Sequence, residues 1–208
     1  MRRHDLETPL DVDALAALDL GDQVYLTGEI FATAGIPTYQ RLLGCLDGQE
    51  ETPFDLTGAA LFHLGSICDE APDGTRKIVY LNPTTSTRFN KHMPRLIRGF
   101  GLRAVGGKGG LDAESAATMA EAGCVYLAFL GGGAQILTDG VREVSGVGWG
   151  DMIEHYRLTR LRVEALGPLT VGITARGESV FDQTARGAAA RRADILADMA
   201  RERGTTSH

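Results

Sequence analysis

Leu102-Arg103-Ala104-Val105-Gly106-Gly107-Lys108-Gly109-Gly110 is a short apolar strand that ends in a glycine-rich turn, and the turn opens a helix over Ala113 to Ala122. The same order stands on either side of it. Upstream, Lys77 to Leu81 runs into Asn82-Pro83-Thr84-Thr85-Ser86 and a helix expected to reach about Gly99. Downstream, Cys124 to Leu130 runs into Gly131-Gly132-Gly133 and a helix over Ala134 to Thr138. Strand–turn–helix repetition predicts parallel pairing with crossover helices, because parallel strands need a long connection back to the same edge. The fold class read from this pattern is α/β.

The flanks add strands to that central layer. Gln23 to Ile30 is apolar at alternate positions and reads as a strand after a turn at Gly21-Asp22. Ile36 to Leu46 reads as a short helix with Pro37 in its first turn. Asp47 to Thr57 is polar and reads as a loop, Ala59 to Leu64 as a buried strand, and Ser66 to Arg76 as a second loop. Beyond Gly150, Leu158 to Leu166 and Leu169 to Ala175 read as two strands around Gly167-Pro168. The tail from Ala185 to Arg203 mixes charges with alanines and reads as a helix, either a solvated face or one that binds a partner. Gly204 to His208 is expected to fray.

Composition narrows the function. A chain of 208 residues, 43% hydrophobic and 23% charged, can bury a core without disulfides or metal. A net charge of −6 weighs against a coat for nucleic acid or an anionic membrane. No apolar run approaches the roughly 18 residues that span a bilayer. The start, Met-Arg-Arg-His-Asp-Leu-Glu, lacks the apolar stretch of a secretory signal. Cys45, Cys68 and Cys124 are far apart and form no CxxC pair, which points to a reducing, cytoplasmic setting. No His/Cys/Asp spacing supports a zinc site, so no metal ligand is assigned.

Chemistry is expected where the three turns meet. Helix N-termini on one sheet edge favour an anion. The first turn adds the hydroxyls of Thr84, Thr85 and Ser86, with Arg88 one helical turn later; the second adds Lys108 between paired glycines. One guanidinium, one ammonium and three hydroxyls suit a small carboxylate. A P-loop would need GxxxxGK[ST], and Lys108 is followed by Gly109. Taken singly, the first turn is also a plain helix start with hydroxyl caps and the second a bare turn. His63, between apolar neighbours, reads as a core or strand-end histidine, and His4, His92 and His155 read as surface residues.

These residues carry a resemblance. Pro83-Thr84-Thr85-Ser86-Thr87-Arg88-Phe89-Asn90 resembles the GPTTSxRM motif of the iron–sulfur hydro-lyase family, in its beta subunit or fused C-terminal domain. That family includes class I fumarate hydratases and L(+)-tartrate dehydratase. Thr8-Pro9-Leu10, Gly21-Asp22 with Gly28 and Phe31-Ala32-Thr33-Ala34, Pro53-Phe54-Asp55-Leu56-Thr57-Gly58, Gly107-Lys108-Gly109 and Tyr126 to Ala134 match further motifs in order. The likeness runs from about residue 8 to about residue 182.

The resemblance implies a swivelling β/β/α domain over residues 1–184 and a helical tail over 185–208. It implies reversible addition or removal of water on a small hydroxy-carboxylic acid. Thr84 would be the base, Arg88 the carboxylate clamp and Lys108 its electrostatic support, with Thr85, Ser86 and Gly107 also binding substrate. It implies a [4Fe–4S] cluster carried by a separate alpha subunit, none bound by this chain, and a hetero-oligomer or homodimer. The matching departs at Gly35 and Tyr39, where the family has arginine and histidine, and at Asn82, Gly65-Ser66 and Gly148-Trp149-Gly150-Asp151. The alternative reading is a carboxylate-binding or regulatory subunit without turnover. A cluster-free lyase or isomerase is the third.

Overall fold

The protein is described here by a computed structural model covering residues 1–205, with side chains to residue 203; residues 206–208 lie outside the described part. Its strands are β1 (Arg3–Glu7), β2 (Gln23–Thr33), β3 (Ala60–Glu70), β4 (Arg76–Pro83), β5 (Ala104–Gly107), β6 (Val125–Ala128), β7 (Val141–Gly148) and β8 (Leu158–Ile173). Its helices are α1 (Val12–Ala16), α2 (Ile36–Leu46), α3 (Met93–Phe100), α4 (Ala113–Ala122), α5 (Ala134–Asp139) and α6 (Val180–Thr205). The chain is α/β, as the repeated units predict.

β2, β3, β5 and β6 run parallel in that order. β8 pairs antiparallel with both β6 and β2, so the five strands close on themselves. β1 adds to β2 in parallel, and β7 adds to β8 antiparallel.

Side chains that alternate along these strands feed two cores. Ala60, Phe62 and Leu64 of β3, Ala104 of β5, and Val125 and Leu127 of β6 pack with Val24, Leu26 and Ile30 of β2 and Leu161 of β8. The opposite faces, Leu61, Val105 and Tyr126, pack under Leu42 of α2, Met93, Leu96 and Ile97 of α3, and Met119 of α4. Each fully buried leucine or phenylalanine contributes about 1.5–3 kcal/mol relative to exposure. Glycine closes α3 and α4: Gly101 and Gly123 are both left-handed, as a helix C-terminus favours.

Several expectations are corrected. β4 is not in the parallel layer. It folds back on β3 as an antiparallel partner from Glu70↔Arg76 to Leu64↔Pro83, so the stretch Ser66 to Arg76 is largely hairpin rather than loop. Leu158 to Ile173 is one continuous strand through Gly167-Pro168, following β2 with two register shifts. The helix after Ser86 is a 3₁₀ turn, Ser86–Phe89, before α3 begins at Met93. α6 starts at Val180 and still includes Gly204 and Thr205, where fraying was expected; the remainder of that stretch lies outside the described residues. His92 is buried, not on the surface. Among the described residues no helix is long and apolar enough to cross a membrane.

One buried charge pins the first strand. Asp22 is 2% exposed and accepts hydrogen bonds from the Arg2 backbone N–H (2.8 Å), the Arg2 guanidinium (2.9 and 3.2 Å) and the Asp19 N–H (3.3 Å), with His4 Nε2 at 3.0 Å. Burial alone would raise its pKa, but these donors outweigh burial and hold the carboxyl well below its ordinary range. A depressed carboxyl stabilises the fold above its unfolded pKa, about 3.9, and that stability is lost as pH falls. Asp22→Asn is therefore expected to cost about 1.5–3 kcal/mol at pH 7. In urea titrations the gap to the parent should narrow as pH is lowered through about 4 towards 2. Equal stabilities at pH 7 would contradict this role.

Candidate functional site

The two turns that carry the predicted chemistry are joined backbone to backbone. Thr84 N–H donates to the His63 carbonyl at the end of the β3–β5 pairing (2.8 Å), Lys108 N–H to the Thr84 carbonyl (3.0 Å), and Ser86 N–H to the Lys108 carbonyl (2.8 Å). Thr85 and Lys108 thereby form a parallel bridge. This is how the turn after β4 reaches the edge of the parallel layer although β4 itself does not belong to it. The third turn also arrives: Phe129 N–H donates to the Gly107 carbonyl (2.8 Å), and a Cβ on Gly131 would lie 3.6 Å from Lys108 Cδ.

Thr84, Arg88 and Lys108 line one cavity of about 430 Å³, together with Asn82, His155 and Tyr156. Arg88 is exposed and its Nη2 donates to Thr84 Oγ1 at 2.7 Å. A guanidinium has five N–H donors, so most of the fork stays available for a carboxylate. Among the described residues no Asp or Glu pairs with Arg88 or Lys108, whereas arginines elsewhere, such as Arg41 with Glu50 and Asp151, are neutralised. A second cavity of about 510 Å³ mixes Arg76, Lys77 and Arg142 with Asp69, Asp139 and Glu143, and so offers no comparable preference for an anion.

Ser86 and Gly107 stand behind this cavity, not in it. Ser86 is fully buried; its Oγ lies 2.7 Å from His63 Nδ1 and 2.8 Å from Tyr126 Oη, which also accepts from Gly110 N–H (3.2 Å). The expected contact of the Ser86 hydroxyl with substrate is corrected: that hydroxyl is spent on tying the two turns to the sheet. Burial pushes His63 down to about 3 and Tyr126 up to about 12, so both stay neutral. Gly107 allows the close approach. A Cβ there would meet Ser86 Oγ at 2.5 Å and the Thr84 carbonyl at 2.9 Å. Thr85 is half-buried beside Gly109 and does not line the cavity.

Removing the Ser86 hydroxyl takes the partner from buried His63 Nδ1 and one of two partners from the Tyr126 hydroxyl. Ser86→Ala is expected to cost about 1–3 kcal/mol in urea unfolding, against at most about 0.5 for Thr87→Ala on the exposed side of the same turn. Equal costs would show that the buried chain of hydroxyls and imidazole does not hold the turn.

Asn82, His155 and Tyr156 were not among the predicted site residues. His155 is exposed as expected, yet it faces the cavity. Tyr39, by contrast, is fully buried between His63 and Phe89, with ring centroids at 5.5 and 4.4 Å, and lines no part of the site. Cys45, Cys68 and Cys124 are free thiols, and among the described residues no three His, Cys, Asp or Glu side chains come together to hold a metal ion.

Comparison with known proteins adds a lineage to this geometry. A family model described as the fumarase C-terminus matches residues 1–184. The chain is 34% identical over 167 residues to a putative L(+)-tartrate dehydratase subunit beta of Methanocaldococcus jannaschii, covering 80% of this chain and 85% of that one. It is 29% identical over 199 residues to the L(+)-tartrate dehydratase subunit beta of Escherichia coli, covering 93% and 94%. A putative fumarate hydratase class I of Geobacillus stearothermophilus is 31% identical over 149 residues, 72% of this chain but 27% of that longer protein.

Proposed function

The chain belongs to the fumarase C-terminus family, and from that premise we propose that it is the beta subunit of a hydro-lyase that adds or removes water on a small hydroxy-carboxylic acid. The observation that carries the reading is the convergence of Thr84, Arg88 and Lys108 on one cavity that no Asp or Glu lines among the described residues. Support also comes from relatives whose names specify a tartrate dehydratase beta subunit and a fumarate hydratase. We assign the chain the swivelling β/β/α arrangement of that family.

Arg88 presents a planar fork to a substrate carboxylate, and Lys108 adds a point charge from the facing turn. Thr84 is the base. A threonine hydroxyl is ordinarily too weak an acid to hold negative charge. The hydrogen bond from Arg88 and the cationic cavity both favour its deprotonated form. That oxygen then takes the proton from the carbon next to the hydroxyl, the C–H electron pair forms the double bond as the C–O bond breaks, and the departing hydroxide recovers the proton from Thr84 to leave as water, while the cations hold the carboxylate whose conjugation stabilises the developing charge.

The [4Fe–4S] cluster that the family resemblance implies does not fit the residues of this chain: its thiols are separate, and Cys124 is buried with its pKa pushed well up, by burial above all. We assign such a cluster to an alpha partner, where it would act as a Lewis acid on the leaving hydroxyl; no step here depends on it. The free thiols support a reducing, cytoplasmic setting. The reading is tested by combining the chain anaerobically with its alpha partner and following water elimination from hydroxy acids. Turnover that requires both chains supports it. Binding of a carboxylate without turnover by the complete pair would contradict the enzymatic role.

A further inference from the structure

Arg88 and Lys108, on the two joined turns, are the arginine and lysine among the described residues lining the cavity; away from those turns the wall includes His155 and Tyr156. Tyr156 occupies the space in front of Gly35 so closely that a Cβ on residue 35 would lie 2.5, 2.6 and 2.7 Å from its Cγ, Cδ1 and Cβ. No side chain, cationic or otherwise, can enter the cavity from that position while the ring is in place.

The ring's backbone is held from several directions. The Tyr156 carbonyl accepts from Thr33 Oγ1 (3.2 Å) and from Thr38 Oγ1, its N–H donates to the Ile153 carbonyl (2.8 Å), and the neighbouring His155 carbonyl accepts from Ala34 N–H (2.9 Å). Further apolar lining comes from Ala34, Pro83 and the exposed Ile67 and Tyr80. Nearby arginines do not supply a cation to this wall. Arg157 donates to the Met152 carbonyl and lines a separate recess, and Arg41 is paired with Glu50 and Asp151. Among the described residues that line the cavity, the one imidazole is that of the solvent-exposed His155.

We infer that this subunit receives a hydroxy acid with one carboxylate, held by Arg88 and Lys108, whose far end is uncharged and lies against Tyr156. The inference rests on the proposed function and narrows its substrate class. A second carboxylate placed at Tyr156 would lose hydration and meet no arginine or lysine of this chain; the phenol O–H can donate equally to a neutral carbonyl or hydroxyl, so the second charge gains little from this wall. An amide, hydroxyalkyl or alkyl end fits the phenol ring and its apolar neighbours.

The test uses the full chain and two probes that differ only at the far end: succinate, and its monoamide succinamate. Both are titrated at neutral pH, with binding read from amide chemical shifts of the two turns. The expected result is dissociation constants equal within about threefold, each raised about tenfold or more by Arg88→Ala. Tyr156→Lys, which places an ammonium on the neutral wall, should then favour succinate over succinamate by about tenfold. Succinate binding about tenfold tighter to the parent, in an Arg88-dependent way, would overturn the inference and leave the carboxylate site standing. An unchanged preference in Tyr156→Lys would also overturn it, by showing that the far end does not lie there. If neither probe binds, or if Arg88→Ala has no effect on binding, the carboxylate site itself is refuted and the inference falls with it.

Discussion

Thr84→Ala is expected to lower turnover of the complete enzyme by about 10²–10⁴, with KM changed by no more than about threefold. The hydroxyl stands at the cavity rim on a turn fixed by its own backbone: its N–H is bonded to His63 and its carbonyl accepts from Lys108. Alanine keeps those bonds, so the turn should survive. What disappears is the oxygen on which Arg88 donates and to which the substrate proton would pass. Serine retains that oxygen, so Thr84→Ser should recover most of the rate. Steady-state kinetics of the three proteins check this, and a Thr84→Ala enzyme running at the parent rate would remove Thr84 from the chemistry.

Arg88→Ala is expected to reduce kcat/KM by about 10²–10⁴, through both KM and kcat. Two charge-assisted hydrogen bonds to a carboxylate are worth about 3–6 kcal/mol together. The same substitution also withdraws the donor from Thr84 Oγ1. Arg88→Lys separates the two effects. It returns the positive charge and part of the KM, but an ammonium cannot span the carboxylate and Thr84 at once as the fork does. A kcat that stays low in Arg88→Lys while KM recovers is the expected signature. Arg88 is exposed, so loss of fold does not obscure the result.

The parts of this site that share a short segment were legible in the sequence. Glycine and proline punctuation places the turns at Asn82–Ser86 and Gly106–Gly110, and the bounds Ile36–Leu46 and Ala113–Ala122 agree with α2 and α4. The parallel order of β3, β5 and β6 follows from helices that separate short apolar runs. The partner of β4 does not. An apolar run after a polar stretch reads alike for a hairpin and for a crossover, and only tertiary pairing along β3 decides it. β7 escaped notice because Val141 to Gly148 carries Arg142, Glu143 and two glycines and is only partly buried, which blurs its alternation.

At the site itself, hydroxyl type alone does not say which way a side chain turns. Thr84 faces the cavity, while Ser86, two residues on, faces His63 and Tyr126. Tyr156 was illegible for a different reason. It enters from a 3₁₀ turn, Glu154–Tyr156, more than a hundred residues from Gly35, and no local signal ties the two.

A double-mutant cycle on Thr84→Ala and Lys108→Met, read as kcat of the complete enzyme, tests most directly whether these groups serve one reacting centre. The geometry predicts strong coupling, the double variant losing little more than the worse single variant. Losses that simply multiply would mean that Thr84 and Lys108 act independently and that the shared site does not exist.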